Sequence, residues 1–85
     1  MLSIADALHE VLDTLAAVLS DAERREVVQF VHVGEYGVAL ETLSALLIEE
    51  RKRIPATAYS QMVELAETMG IRSSVITAEL ESRVT

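Results

Sequence analysis

Cysteine and tryptophan are absent from this chain, and only one proline and three glycines interrupt it. Without cysteine there is no disulfide bond, no thiolate metal ligand and no cysteine nucleophile. The longest stretch without Asp, Glu, Lys or Arg is residues 54–63, well short of the roughly 20 apolar residues that cross a bilayer. Asp6 and Glu10 lie where a secretory signal would carry Lys or Arg. We therefore expect a cytoplasmic protein with no membrane partner.

Basic residues are also scarce. Seven Lys and Arg stand against fourteen Asp and Glu, which gives a formal net charge of −7. The two basic clusters, residues 24–25 and 51–53, are flanked by glutamates. A nucleic-acid binder needs a basic surface to displace counterions from phosphates, so we expect no nucleic-acid partner.

What the chain does have is apolar content. Hydrophobic residues make up 51% of the 85 positions, too many for an acid-rich disordered segment. The length fits one small domain over residues 1–85. The shortage of Gly and Pro, together with much Ala, Leu and Glu, favours helix throughout. The sequence predicts an all-α fold, a small single-domain bundle of four to five short helices.

Capping signals divide the chain into these helices. Apolar residues at spacings of three and four predict a first helix from Ser3 to about Leu19. Ser20 and Glu23 form a capping box for a second helix. Its β-branched run, residues 27–33, could also be a strand, but the box and Gly34 as a C′ residue favour helix.

The later helices have weaker boundaries. The third is predicted from about Tyr36 to Lys52, with Ile54-Pro55 as its stop. Thr57 is the predicted cap of the fourth helix, and Gly70 with Ile71 predicts a Schellman motif at its end. A fifth helix is predicted to start at Ser73 or Ser74 and to include Ile76, Leu80 and Val84.

The negative charge is unevenly spread over the predicted helices. Residues 1–19 carry Asp6, Glu10 and Asp13 and no Lys or Arg. Glu64 and Glu67 likewise have no cation within four positions. Like charges one turn apart repel weakly in a helix. Such a surface either keeps a small protein soluble or serves a cationic partner, whose association it accelerates.

Residues that could carry chemistry are few. His9 and Asp13 are four apart on the first helix, but the only other histidine, His32, has no neighbouring ligand. Gly34 and Gly37 lack the Lys-Ser/Thr that follows the glycines of a phosphate-binding loop. We therefore expect no catalytic residue, no metal and no cofactor, and a protein that is not an enzyme.

One segment is less generic. Residues 33–43, Val-Gly-Glu-Tyr-Gly-Val-Ala-Leu-Glu-Thr-Leu, resemble a Gly-Glu-Tyr/Pro-Gly-x-Ala-Leu-x-x-Leu segment of the MafI-type immunity proteins of bacterial polymorphic toxin systems. Ile54-Pro55, Tyr59 and Met69-Gly70 are similar to later features of that family, so the resemblance covers about residues 25–71. It implies a cytoplasmic protein that binds and neutralises a cognate toxin, often a nuclease, in the cell that makes it.

A nuclease binds phosphates through Lys and Arg, so an acidic helical surface could occupy its basic cleft. The candidate toxin-binding residues are Glu35, Tyr36, Glu41, Glu64 and Glu67. A second candidate patch comprises Asp6, Glu10 and Asp13. Two of these residues have structural alternatives, since Glu35 could cap the third helix and Tyr36 could pack into the core. The alternative function is a non-catalytic helical adaptor or dimerisation module, in which leftover apolar surface pairs two copies as a homodimer.

Overall fold

The computed structural model describes residues 2–85 and contains six helices in that part of the chain. Four of them are longer than two turns and two are single turns. No β-strand occurs among the described residues, although Ile54 and Val84 form an isolated bridge. The predicted all-α class is confirmed. The helices are α1 (Ile4–Thr14), α2 (Asp21–His32), α3 (Tyr36–Glu49), α4 (Ala56–Thr68), α5 (Arg72–Val75) and α6 (Ala78–Glu81).

Helix α1 begins as predicted, because the Ser3 hydroxyl accepts a hydrogen bond from the Asp6 amide at 3.1 Å. It ends at Thr14 rather than near Leu19. Beyond Thr14 the chain continues in turns that keep Leu15 and Leu19 buried. The apolar spacing therefore continues past the helix, and no Gly or Pro marks where the helix stops.

Helix α2 is a helix and not a strand, as the capping signal predicted. The Glu23 amide donates to Ser20 Oγ at 3.1 Å, and the Ser20 amide donates to Glu23 Oε1 at 2.8 Å. This reciprocal pair satisfies two amides that the first turn leaves without a partner. Val27 and Val31, one turn apart, are its buried residues.

Three helices end in the same way. After α2 and α4, Gly34 (φ +78°) and Gly70 (φ +71°) adopt the left-handed conformation, as predicted. The bonds from the Ile71 amide to the Ala66 carbonyl (2.9 Å) and from the Gly70 amide to the Glu67 carbonyl (3.1 Å) complete a Schellman motif.

The third such ending was not predicted, because the residue in the left-handed position after α3 is Arg51 (φ +50°). The Lys52 amide donates to the Leu47 carbonyl at 2.9 Å, and the Arg51 amide donates to the Ile48 carbonyl at 3.2 Å. Helix α3 consequently ends at Glu49, three residues before the predicted Lys52. A side chain in this region costs free energy that glycine does not.

Two expectations for the C-terminal half are wrong. Thr57 does not cap α4, which begins at Ala56 with Pro55 in the N-cap position and no side-chain cap. The predicted fifth helix is two single turns, since Ile76 is extended and the Thr77 hydroxyl caps α6 by accepting from the Leu80 amide at 3.2 Å. A side-chain hydroxyl that accepts a backbone bond favours a helix start over a helix interior.

The end of the described chain instead pairs with the connection between α3 and α4. The Ile54 amide donates to the Arg83 carbonyl at 2.9 Å, and the Thr85 amide donates to the Ile54 carbonyl at 3.0 Å. Ile54 is fully buried beneath this pairing. These bonds satisfy backbone groups around the buried Ile54, next to a proline that has no N–H of its own.

The helices pack in two main pairs, α2 on α3 and α1 on α4. Helix α3 also contacts α1, α5 and α6, so it lies at the centre of the fold. Its buried Ser44 donates a hydrogen bond to the Val75 carbonyl at 2.7 Å, which ties α5 to α3. No helix in the described part of the chain combines the length and apolar character needed to cross a bilayer. The core residues of α3 are Ala39, Leu40, Leu43, Leu46 and Leu47.

Candidate functional site

The five candidate residues fall on two different helix pairs. Glu35, Tyr36 and Glu41 lie at and after the start of α3, which packs on α2. Glu64 and Glu67 lie on α4, which packs on α1. The structure therefore divides the candidates between two parts of the surface.

At the start of α3, the two structural alternatives have different outcomes. Glu35 is exposed in the N-cap position, but its side chain makes no capping hydrogen bond, so the capping alternative is wrong. Tyr36 is half-buried and packs against the core, which is the structural alternative predicted for it. Glu41 is exposed further along α3. Neither carboxylate forms an ion pair among residues 2–85, and the aromatic ring of Tyr36 packs partly against the core.

On the other helix pair, the structure joins members of the two predicted patches. Glu10 of α1 and Glu64 of α4 line one groove between these helices, with a volume of about 420 Å³. Both carboxylates are exposed. Between them the groove is mostly apolar, and the remaining lining residues are Leu2, Ser3, Ile4, Ala7, Val11, Gln61, Leu65 and Thr68. We call this feature the α1–α4 groove.

Gln61 connects the two walls of the α1–α4 groove. Its Nε2 donates a hydrogen bond to Glu10 Oε1 at 3.2 Å. Its Oε1 is buried and has no hydrogen-bond partner in the described part of the chain. A buried acceptor without a donor is unusual in a folded protein, because it has lost its water without replacing it.

Ion pairs show which acidic residues are already neutralised. Asp13 pairs with Arg24 of α2, and Glu67 Oε1 lies 3.5 Å from Arg72 Nη1. Arg24 is anchored as well by a hydrogen bond to the Leu12 carbonyl at 3.1 Å. Sequence reasoning within single helices missed both partners, because one lies on another helix and the other lies just beyond the end of α4.

Asp6, Glu10 and Glu64 have no such partner, since none of the ion pairs found among residues 2–85 includes them. Asp6 is exposed on α1 one turn before Glu10. These three carboxylates of α1 and α4 thus lie in the α1–α4 groove (Glu10 and Glu64) or near it (Asp6). The apolar and amide residues of the groove were not among the predicted site residues, because a sequence does not show which two helix faces meet.

A further acidic residue, Glu23, belongs to the scaffold and not to this groove. The hydrogen bond from the Ser20 amide, and then the Lys52 ammonium, hold the pKa of Glu23 below its ordinary value. Glu23 Oε1 lies 3.1 Å from Lys52 Nζ. Glu23 therefore forms an ion pair that links the start of α2 to the turn after α3.

Histidines and carboxylates do not converge elsewhere in the described residues. No group of three or more His, Asp or Glu side chains between positions 2 and 85 is arranged to hold a metal ion. His32 is exposed on α2, whereas His9 is half-buried on α1. The arrangement that remains is a surface groove suited to binding, with an apolar floor and carboxylates at its edges.

Comparisons of the chain with protein-family models, with curated proteins and with solved structures find no match.

Proposed function

We propose that this protein is a bacterial immunity protein, which binds and neutralises a cognate polymorphic toxin, with a nuclease domain, in the cytoplasm of the producing cell. The observation that carries the proposal is the pair Glu10 and Glu64, two exposed carboxylates without a cation partner among residues 2–85, at the edges of an apolar groove. The resemblance of residues 33–43 to the MafI-type segment supports the same function.

Charge and apolar contact would act together in binding the toxin. A nuclease must present Lys and Arg to bind phosphates, so its active surface attracts a chain of net charge −7. Such complementarity mainly accelerates association and selects the partner. The apolar side chains of the α1–α4 groove that remain accessible, Leu2, Ile4 and Ala7, supply area whose removal from water slows dissociation.

In this account the α1–α4 groove is the main contact, and Glu35 and Glu41 belong to a second acidic surface. The groove has what a protein interface needs, an apolar centre with a polar rim. The start of α3 offers carboxylates, but its aromatic ring is half-buried. We therefore rank Glu10 and Glu64, with nearby Asp6, before the residues of α3.

The second candidate function is a helical adaptor or dimerisation module. Exposed apolar side chains favour it. Val33, in the turn between α2 and α3, is 71% exposed, and Val38, in the first turn of α3, is 38% exposed. Light scattering at micromolar concentration separates the two functions. A stable dimer that binds no toxin would favour the module.

The proposed function is tested by producing the protein together with the toxin domain encoded beside its gene. We expect cells to survive the toxin, and we expect the purified pair to form a tight 1:1 complex. Its association rate should fall steeply between low and high salt, because charges separated by more than about 8–10 Å are screened at physiological ionic strength. Absence of both protection and complex formation would refute the proposal.

A further inference from the structure

We propose that the α1–α4 groove binds one apolar and basic segment of a partner protein, whose aliphatic side chains enter the groove while its Lys or Arg side chains reach Glu10 and Glu64. This inference rests on the proposed function for the identity of the partner. It adds the kind of segment that binds and the residues that receive it.

The floor of the groove selects aliphatic side chains. Val11 and Leu65 are almost fully buried at its base, and Ile4 and Ala7 are half-buried along its wall. Leu2 is 56% exposed and also lines it. These side chains present apolar surface in a concave arrangement, which an amphipathic segment covers with its own apolar residues.

The edges of the groove select cations. Glu10 and Glu64 remain exposed and lack an ion-pair partner among residues 2–85. An incoming Lys or Arg would pair with them at the rim, whereas an acidic segment would be repelled. The overall charge of −7 acts in the same direction over longer distances.

Gln61 adds a hydrogen-bonding requirement. Its Oε1 is the buried acceptor without a partner, while its Nε2 is already engaged by Glu10. Because this oxygen has almost no accessible surface, the Gln61 side chain must turn into the groove, where a Lys ammonium or an Arg guanidinium of the bound segment would satisfy it. A purely hydrocarbon ligand would not, so the polar and apolar features of the groove call for the same occupant.

Charge also disfavours a second copy of this chain as the occupant. A two-fold symmetric dimer places the same patch of both copies face to face. Glu10 and Glu64 of both copies would then lie in one interface, and none of the described lining residues of the groove is a cation. A partner of opposite charge avoids this repulsion.

The test uses a synthetic amphipathic helical peptide with Leu along one face and Lys elsewhere, titrated into the ¹⁵N-labelled full chain. We expect the largest amide shift changes on the groove residues of α1 and α4. A matched peptide with Glu in place of Lys should not bind. Shift changes centred on other helices, equal binding of the two peptides, or no binding at millimolar concentration would overturn the inference. Self-association through the same amides would also overturn it, in favour of a dimer.

Two alanines provide matched variants. Ala7→Arg places a long cationic side chain in the groove, and Ala45→Arg makes the same change at an exposed position of α3. Ala7→Arg should weaken peptide binding about tenfold or more, and Ala45→Arg less than about twofold. If circular dichroism shows that Ala7→Arg is unfolded, Glu64→Lys with Glu41→Lys as its control replaces that pair. Equal effects within either pair contradict the inference.

Toxin protection is measured in parallel so that the two proposals fail separately. A protein that protects cells but does not hold the Leu–Lys peptide in the groove refutes this inference and leaves the proposed function standing. A protein that binds the peptide there but neither protects nor forms a complex refutes the proposed function, while the specificity of the groove remains supported.

Discussion

One glutamate oxygen joins two distant parts of the chain. Glu23 Oε1 accepts the Ser20 amide at 2.8 Å and lies 3.1 Å from Lys52 Nζ. The first contact closes the capping box of α2, and the second links that cap to the turn after α3. Both contacts favour the ionised carboxyl, which is why the pKa of Glu23 is lowered.

Glu23→Gln should therefore change the pH dependence of stability. A carboxyl whose pKa is lower in the folded protein stabilises the fold above its unfolded pKa, near 4.5, and loses that effect as the pH falls through the lowered value. The variant should be less stable than the wild type at neutral pH, and the difference should shrink below pH 4.5. Urea unfolding across this range measures it.

Glu26→Gln is the control, because Glu26 is an exposed carboxylate on the same helix with no ion pair among residues 2–85. It should change the free energy of unfolding little at either pH. A loss for Glu23→Gln that is the same at every pH would show that the charge of Glu23 does not stabilise the fold.

Arg51→Gly should stabilise the protein, an unusual result for a glycine substitution. Arg51 occupies the left-handed position that Gly34 and Gly70 fill after other helices. The backbone strain at Arg51 costs about 1–2 kcal/mol, and glycine removes it. This exceeds the free-energy cost of the greater entropy that glycine gives the unfolded chain, so the free energy of unfolding should rise by about 0.5–1 kcal/mol. Thermal and urea unfolding measure the change.

Arg53→Gly removes the same charge two positions later, where the backbone is not left-handed. We expect it to be neutral or destabilising. If both variants shift the free energy of unfolding equally, the effect comes from charge and not from conformation.

Gly34, in the turn between α2 and α3, and Gly37, in the first turn of α3, should respond differently to alanine. Gly34 has φ +78° with open space around it, so Gly34→Ala meets backbone strain alone and should cost about 1–2 kcal/mol. Gly37 lies in the first turn of α3, and an added Cβ would make an ordinary 3.8 Å contact with Ile71 Cδ1. Gly37→Ala should therefore be neutral or stabilise by up to about 1 kcal/mol. Urea unfolding of both variants measures these changes. A destabilised Gly37→Ala variant would contradict the prediction.

The local signals in the sequence predicted those parts of the fold that depend on neighbouring residues. Ser3, the capping box at Ser20 and the turns at Gly34 and Gly70 each act through hydrogen bonds within a few residues, and each is present. The end of α3 was misplaced, because Arg51 takes a conformation that sequence rules reserve for glycine.

The errors at other boundaries have a tertiary origin. Leu15 and Leu19 lie in the turns after α1 and are nevertheless buried, so the helical spacing of apolar residues continues beyond the end of the helix. The break at Thr77 allows the residues around Val84 to pair with Ile54, a contact between segments about thirty residues apart. Helical periodicity carries no information about such pairing.

The candidate site shows the same division. The sequence identified Glu10 and Glu64 as acidic residues without a nearby cation, but placed them in separate patches. Only the packing of α1 on α4 brings them to one groove. The ion pairs of Asp13 with Arg24 and of Glu67 with Arg72 likewise became visible only in the folded structure.

The most direct test of the proposed function compares two charge reversals against the cognate toxin. Glu10→Lys with Glu64→Lys alters the α1–α4 groove, and Glu35→Lys with Glu41→Lys makes the same change at exposed positions of α3. Circular dichroism and thermal unfolding should first show that both variants are folded. We predict that the groove variant loses protection and binds the toxin about tenfold or more weakly, while the α3 variant stays within about threefold of wild type. Full protection by the groove variant would contradict the account.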